Sequence, residues 1–283
     1  MRINKLFSNY GICSRKETNK LIEEKRIKVN GEFCVLGQWV EEEDEILLDG
    51  EPISQKKKVY IALNKPVGIT CTAEIETMDN IIEFMNYPEY IFPVGRLDKE
   101  SQGLILMTND GNLANKILEA ENMHEKEYIV KVHKAFDDKF LEQMAEGVEI
   151  SGRESSGIKR ISDELGVYMI KESEEGELLR EDSEKLKVVQ LADLKENRVN
   201  GNNNIKTRSC KIFKINENTF KIILTQGLNR QIRKMCGVLG YKVIRLERIR
   251  IMNITSSQIE VGEWRQLSEE EVMELKKELN IYN

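Results

Sequence analysis

Apolar positions along the chain follow two periods. Near the N-terminus Ile3, Leu6 and Phe7 recur at helical spacing, and Ser14 with Glu17 three residues on forms a capping box for a second helix carrying Leu21 and Ile22 inward. Alternation takes over in RIKVNGEF, where Asn30-Gly31 predicts a tight hairpin, and EILLDGEPI repeats that signal at Asp49-Gly50. The polar run SQKKK, 54–58, reads as a linker, dividing a small first domain, 1–55, from a larger second one, 59–283.

In the second domain the period-2 runs predict strands near 59–63, 103–108, 126–133, 209–215, 219–225 and 242–252. Helical spacing predicts helices near 79–85, 112–120, 137–145, 229–239 and 268–279; Ser268 and Glu271 form another capping box, and Gly240 is a left-handed stop. Strands following strands imply an α+β fold with a mixed, mostly antiparallel central sheet and flanking helices. The segment 157–206 breaks the pattern: it is acidic, polar and poor in aromatics, which reads as a surface insertion, partly flexible. GVYMI and LKVVQLADL within it carry enough apolar residues for a folded lobe.

Charge changes the picture. The chain of 283 residues carries a net charge of -6, which taken as an average argues against a polyanionic partner. Residues 1–28, however, hold eight Lys or Arg against three acids, and 230–250 hold seven against one. Two basic patches therefore sit on an acidic protein. A basic helix over 14–28 presents Arg15, Lys16, Lys20 and Arg26, either as a solvated face or as a contact for structured RNA in a phosphate and shape mode. There is no apolar run of membrane-spanning length and no signal-peptide pattern, so a cytoplasmic protein is expected. Five scattered cysteines and two histidines offer neither a disulfide framework nor a zinc site.

The most informative stretch is FPVGRLDKESQGLILMTNDG, 92–111. Taken alone, Arg96 and Asp98 are an ordinary exposed turn pair. Here apolar segments pin the turn on both sides, with Ser101 and Gly103 allowing a sharp reversal, and a carboxylate held in such a place calls for a purpose. Further on, NRQIRKM puts Arg230, Arg233 and Lys234 on one basic helix that can touch an RNA backbone and also reach inward. Tyr128 alternates with Val130 and Val132, as a core aromatic or a pocket floor, and Leu246 in VIRLERIR reads as core. NKPVG lacks the Asp of a GTPase NKxD, and there is no phosphate loop, so nucleotide hydrolysis is discarded.

GRLDKESQGLILMTNDG, with LNKPVGIT before it and GLNRQIRKMCGVLGYKVIRLERIRI after it, resembles the ribosomal pseudouridine synthases of the RsuA/RluB/RluE/RluF family, with wording closest to the RluF branch, which acts on 23S rRNA. Residues 1–50 are similar to the S4-type RNA-binding domain that this family carries. The resemblance spans nearly everything except 152–207. It implies a cofactor-free isomerisation of uridine to pseudouridine after base flipping. Asp98 would be the nucleophile, by a route the sequence leaves open, and Arg233 its partner. Tyr128 would stack on the flipped base and assist proton removal, Leu246 would wall the pocket, and Arg96 would enter the space left by the base. Asn64, Lys65, Pro66 and Gly68 would scaffold the pocket. Lys234 stands where the family often has a second Arg, keeping charge but not the bidentate fork. The implied partner is ribosomal RNA, 23S foremost, or a pre-ribosomal particle, with no membrane, and a monomer is expected. The rivals are a non-catalytic RNA-binding or ribosome-assembly factor and a sister synthase acting on 16S rRNA or tRNA.

Overall fold

A computed structural model describes residues 1–41, 43–72, 77–119, 123–151, 158–163, 166–172, 178–180, 187–189 and 204–281, the runs between 158 and 189 by their backbone alone. The N-terminal elements are α1 (Ile3–Asn9), α2 (Arg15–Glu23), β1 (Ile27–Val29), β2 (Glu32–Phe33), β3 (Ile46–Leu48) and β4 (Glu51–Pro52). The strands form one antiparallel sheet in the order β2-β1-β3-β4, and Ile3, Phe7, Ile22, Ile27, Val29 and Val40 make a core of their own. Both hairpin dipeptides turn with positive φ at each position, 51° and 82° at Asn30-Gly31, 53° and 89° at Asp49-Gly50, as the twist of the strands requires. The Ser14 capping box is formed in both directions. The second helix is shorter than the basic run: it ends at Glu23, Lys25 takes φ 56°, and Arg26 lies off the helix at the entry to β1.

The larger sheet uses β5 (Tyr60–Lys65), β6 (Phe92–Pro93), β7 (Gln102–Thr108), β8 (Lys126–Val132), β15 (Lys211–Lys214), β16 (Thr219–Leu224), β17 (Val243–Ile251), β18 (Ile254–Thr255) and β19 (Trp264–Gln266). Its order is β15-β16-β8-β17-β7-β5-β19, antiparallel at every step except between β17 and β7. The remaining strands are β9 (Glu149–Ser151), β10 (Ile158–Asp163), β11 (Gly166–Glu172), β12 (Leu178–Arg180), β13 (Lys187–Val189) and β14 (Asn204–Lys206). β9 pairs with β14, and β10 to β13 form a four-stranded antiparallel sheet inside the acidic segment, while LADL of that segment lies outside the described residues.

Helices α3 (Ile81–Met85), α4 (Gly111–Leu118), α5 (Asp138–Glu146), α6 (Gln231–Val238) and α7 (Glu269–Glu278) cover the sheet. Alternation sorts the strand residues onto two faces. Leu63, Ile105, Tyr128, Val130 and Leu246 pack with Phe140 and Met144 of α5 and Ile232 and Met235 of α6. Ala62, Leu104, Leu106 and Ile251 pack on the opposite face with Leu113 and Ile117 of α4 and Leu275 of α7. The first face carries the candidate site.

The N-terminal unit is seated on the sheet. Asn109, fully buried, accepts the Val59 N–H through Oδ1 at 2.9 Å and donates through Nδ2 to the Lys57 carbonyl at 2.9 Å. A Cβ on Gly11 would come 2.7 Å from the same Nδ2, so only glycine lets α1 approach so closely. The Lys56 N–H and the Lys58 ammonium donate to the Tyr10 and Asn9 carbonyls.

Candidate active site

The Asp98 turn is held from several sides by backbone geometry rather than by its own salt bridge. Ser101 N–H closes the turn onto the Asp98 carbonyl at 2.9 Å, Leu97 N–H donates to Cys71 Sγ at 3.4 Å, and Gly68 N–H donates to the Lys99 carbonyl at 2.8 Å. NKPVG therefore cradles the turn. Lys65, fully buried, donates its ammonium to the Pro66 and Ile69 carbonyls at 2.7 and 2.8 Å, which fixes the loop shape. Burial lowers the Lys65 pKa, Cys71 and Asp98 work against that, and Arg248 works with it.

Two arginines from the start of α6 meet this turn. Arg230 Nη1 lies 3.6 Å and Arg233 Nε 3.8 Å from Asp98 Oδ2, both at ion-pair rather than hydrogen-bond range. Arg233 is clamped: Nη2 donates to Ser101 Oγ at 2.9 Å and to the Glu100 carbonyl at 3.2 Å, and Nη1 to the Val243 carbonyl at 3.4 Å. Its Nε is buried with no hydrogen-bond acceptor. Arg230 is the N-cap of α6 in a left-handed conformation, φ 51°, so it projects from the turn before the helix instead of sharing a helical face with Lys234. Its closest carboxylate is Glu100 Oε1 at 2.5 Å, and that hydrogen bond holds the Glu100 carboxyl below its ordinary pKa.

The predicted residues thus fall into groups. Asp98, Arg230 and Arg233 come together. Tyr128 and Leu246 are buried on the same sheet face, Tyr128 opposite Arg248 on β17 and Ile222 on β16, and Leu246 opposite Val130. Arg96 is exposed, and the ion pairs of Asp98 go to the α6 arginines instead of to it. Lys234 donates to the Ser151 carbonyl at 3.1 Å, tying α6 to β9. Arg15, Lys16 and Lys20 are exposed along α2, away from buried Thr18 and Ile22. Arg26 is held in a two-pronged pair with Asp49, Nε at 2.8 Å and Nη2 at 2.6 Å.

Reading the sequence missed Glu100, Arg248 and Lys126. Arg248 is 3% exposed, donates Nε to the Leu104 carbonyl at 2.6 Å and has no acceptor for Nη2. It reaches there across Gly103, where an added Cβ would lie 2.3 Å from the Arg248 carbonyl oxygen. Lys126, two positions before Tyr128, is half-buried, and burial together with Arg248 brings its ammonium pKa down to about 8. Alternation offered a signal for both, since they occupy the inward positions beside Tyr128 and Leu246.

Residues 59–237 match the family described as RNA pseudouridylate synthase. The chain is 40% identical over 279 residues to the dual-specificity RNA pseudouridine synthase RluF of Salmonella typhi, covering 98% of this chain and 78% of that one. It is 27% identical over 278 residues to the ribosomal large subunit pseudouridine synthase B of Bacillus subtilis, covering 97% and 95%. Among solved structures, a crystal structure of a pseudouridylate synthase superposes with a TM-score of 0.59 at 23% identity, over 97% of this chain and 99% of that one, which shows a shared fold.

Proposed function

The chain belongs to the RNA pseudouridylate synthase family, and from that premise we propose that it isomerises a uridine of ribosomal RNA, 23S foremost, with Asp98 as the nucleophile. The observation that carries the assignment is the meeting of Asp98 with Arg233 across the fold, beside the face that bears Tyr128. A nucleophilic carboxylate must be ionised in a partly enclosed place, and a fixed guanidinium favours that form.

The reaction breaks the bond from C1′ of the ribose to N1 of uracil, turns the base and joins C1′ to C5. One proton leaves C5 and one is gained at N1, so no redox partner or cofactor is needed. The target base must leave its stack to reach Asp98. In this reading Tyr128 supports the flipped ring and assists removal of the C5 proton, Leu246 walls the pocket, and Arg96 enters the RNA stack. Lys234 and Arg230 lie along the RNA path. The N-terminal unit acts as an S4-like docking module, with Arg15, Lys16 and Lys20 on phosphates and Arg26 beside them. No helix among the described residues is long and apolar enough to cross a membrane, and the site of action we assign is the cytoplasm, on free rRNA or a pre-ribosomal particle, as a monomer.

The test is to incubate 23S rRNA fragments and ribosome precursors with the wild type and with Asp98→Asn and to map pseudouridine chemically. Conversion by the wild type alone is expected. Equal signals from the two proteins would overturn the role of Asp98, and no conversion by the wild type on any rRNA would overturn the substrate assignment.

A further inference from the structure

One row of the sheet crosses four strands beneath the site. Tyr128 on β8 pairs with Arg248 on β17, Arg248 with Gly103 on β7, and Gly103 with Lys65 on β5. Laterally paired residues point to the same face, so this row spans roughly 14 Å of floor from the tyrosine to the buried lysine. Lys126, two residues from Tyr128, pairs on one side with Leu224 of that face and on the other, past the β17 bulge, with Ile251, which places it where the two faces meet at the end of the row. Arg248 is near enough to Lys65 and to Lys126 to oppose the protonation of each.

Among the described residues the charges on this floor do not balance. Three cations face it, and Asp98 is the carboxylate that acts on Lys65. The acids on the neighbouring strands point the other way and are already paired: Glu127 with Arg250 and Lys221, Glu125 with Arg250 and Lys211, and Glu247 with Arg245. Glu100 is taken by Arg230. Buried like charges are costly, and so is a buried donor without an acceptor, yet Arg248 keeps one such donor and Lys65 is fully enclosed. An arrangement of this kind is stabilised when negative charge arrives nearby.

We propose that Arg248, Lys126 and Lys65 form a cationic floor that stabilises the uracil anion released when the glycosidic bond breaks. The inference rests on the isomerase reading above and deepens it. When C1′–N1 breaks, its electron pair stays on the ring, which becomes a monoanion, and the Asp98 carboxylate takes the place of N1 on C1′. The freed ring turns, its C5 displaces the carboxylate, and the C5 proton is balanced by the one gained at N1. Charge fixed in a dry site lowers the energy of that anion without reorganising during the step. The depth of Arg248 and Lys65 favours the ring over an RNA phosphate, which keeps its solvent at the surface.

The experiment compares wild type, Arg248→Met, Arg248→Lys and Lys126→Met in single turnovers on an rRNA fragment, with RNA affinity measured alongside. The two methionine variants should slow the chemical step about tenfold or more while affinity stays within about twofold, and Arg248→Lys should retain more activity than Arg248→Met. On the same fragment with 5-fluorouridine at the target, a ring that carries negative charge more readily, the deficit in consumption of the target nucleotide should shrink. An unchanged rate, equal deficits on both substrates, or a loss confined to affinity would each overturn the inference, the last marking a phosphate contact. Should Arg248→Met fail to fold, Lys126→Met decides alone. An inactive wild type would overturn the isomerase reading and this inference together, whereas an active wild type beside unchanged variants overturns the inference alone.

Discussion

Arg233 faces Asp98 with the one nitrogen of its fork that the protein leaves without a hydrogen-bond acceptor. Its two terminal nitrogens are held by Ser101, Glu100 and Val243, so the Nε–Oδ2 separation of 3.8 Å is set by the turn and by β17. A lysine would keep the charge and lose all three tethers. Arg233→Lys is therefore expected to lower kcat by about 10²-fold with little change in melting temperature, and Ser101→Ala by about tenfold. Steady-state kinetics with calorimetry checks both, and a fully active Arg233→Lys would show that charge alone suffices.

Tyr128 is 9% exposed, its ring forming part of the floor. Phenylalanine retains the ring and removes the hydroxyl, so Tyr128→Phe should bind RNA as the wild type does and turn over about 10²-fold more slowly. With deuterium at C5 of the target uridine, the variant should slow further, because proton removal then limits the rate. No isotope effect would place that proton transfer elsewhere.

The half-exposed Glu100 carboxylate is paired with Arg230, the residue that the proposed function sets along the RNA path. Glu100→Gln should tighten RNA binding by about threefold at low salt, and the gain should vanish at high salt. A salt titration by fluorescence anisotropy measures this; weaker binding by the variant would show instead that Glu100 orders Arg230 for the RNA.

The lowered pKa of Lys126 carries a consequence for stability. Its pKa of about 8 in the folded chain lies below the ordinary 10.5, so between those values the unfolded chain holds more protons and stability rises with pH. Below about 8 the penalty is full, at most about 3 kcal/mol and reduced by the partial exposure of the side chain. Lys126→Met is expected to melt a few degrees higher than the wild type at pH 7 and to lose that advantage towards pH 10. Melting curves across that range check it, and a destabilised variant at pH 7 would contradict it.

The acidic segment can be removed at a defined place. Ser151 of β9 lies opposite Asn204 of β14, so the chain leaves and returns at adjacent points. Replacing residues 153–202 by a two-residue Asn-Gly turn should preserve fold, rate and site choice on naked rRNA. Product mapping decides it, a changed target implicating the segment in RNA selection.

Much of the fold was legible because local signals agreed with one another. Both capping boxes, both hairpin dipeptides and the alternation through Tyr128, Val130 and Val132 form as their spacing predicts. The second helix was read too long because a basic run continues through Arg26 while Lys25 turns left-handed, and charge does not mark a helix end. Strands such as β6, β9, β14, β18 and β19 have two or three residues, too few to show a period. The candidate site was picked out through the family resemblance and only partly through the residues themselves, and what the structure adds is that Asp98, Arg230 and Arg233 meet. Nothing local to Asp98 announces Arg233, which comes from α6 and is tethered to Ser101, Glu100 and Val243, and Glu100 was hidden as one more charge on an exposed turn.

The close approach of Gly11 to Asn109, with the bonds from Lys56 and Lys58 to the Tyr10 and Asn9 carbonyls, docks the N-terminal unit against the larger domain at the end of the linker. Under the function proposed above the chain would act as a ruler: with the basic side of α2 resting on RNA at a set offset from Asp98, a uridine would be chosen by how far it lies, through folded RNA, from that resting place. A target in the right sequence but displaced by a few base pairs would then fall outside its reach, a selectivity set by spacing and not by contact with the base.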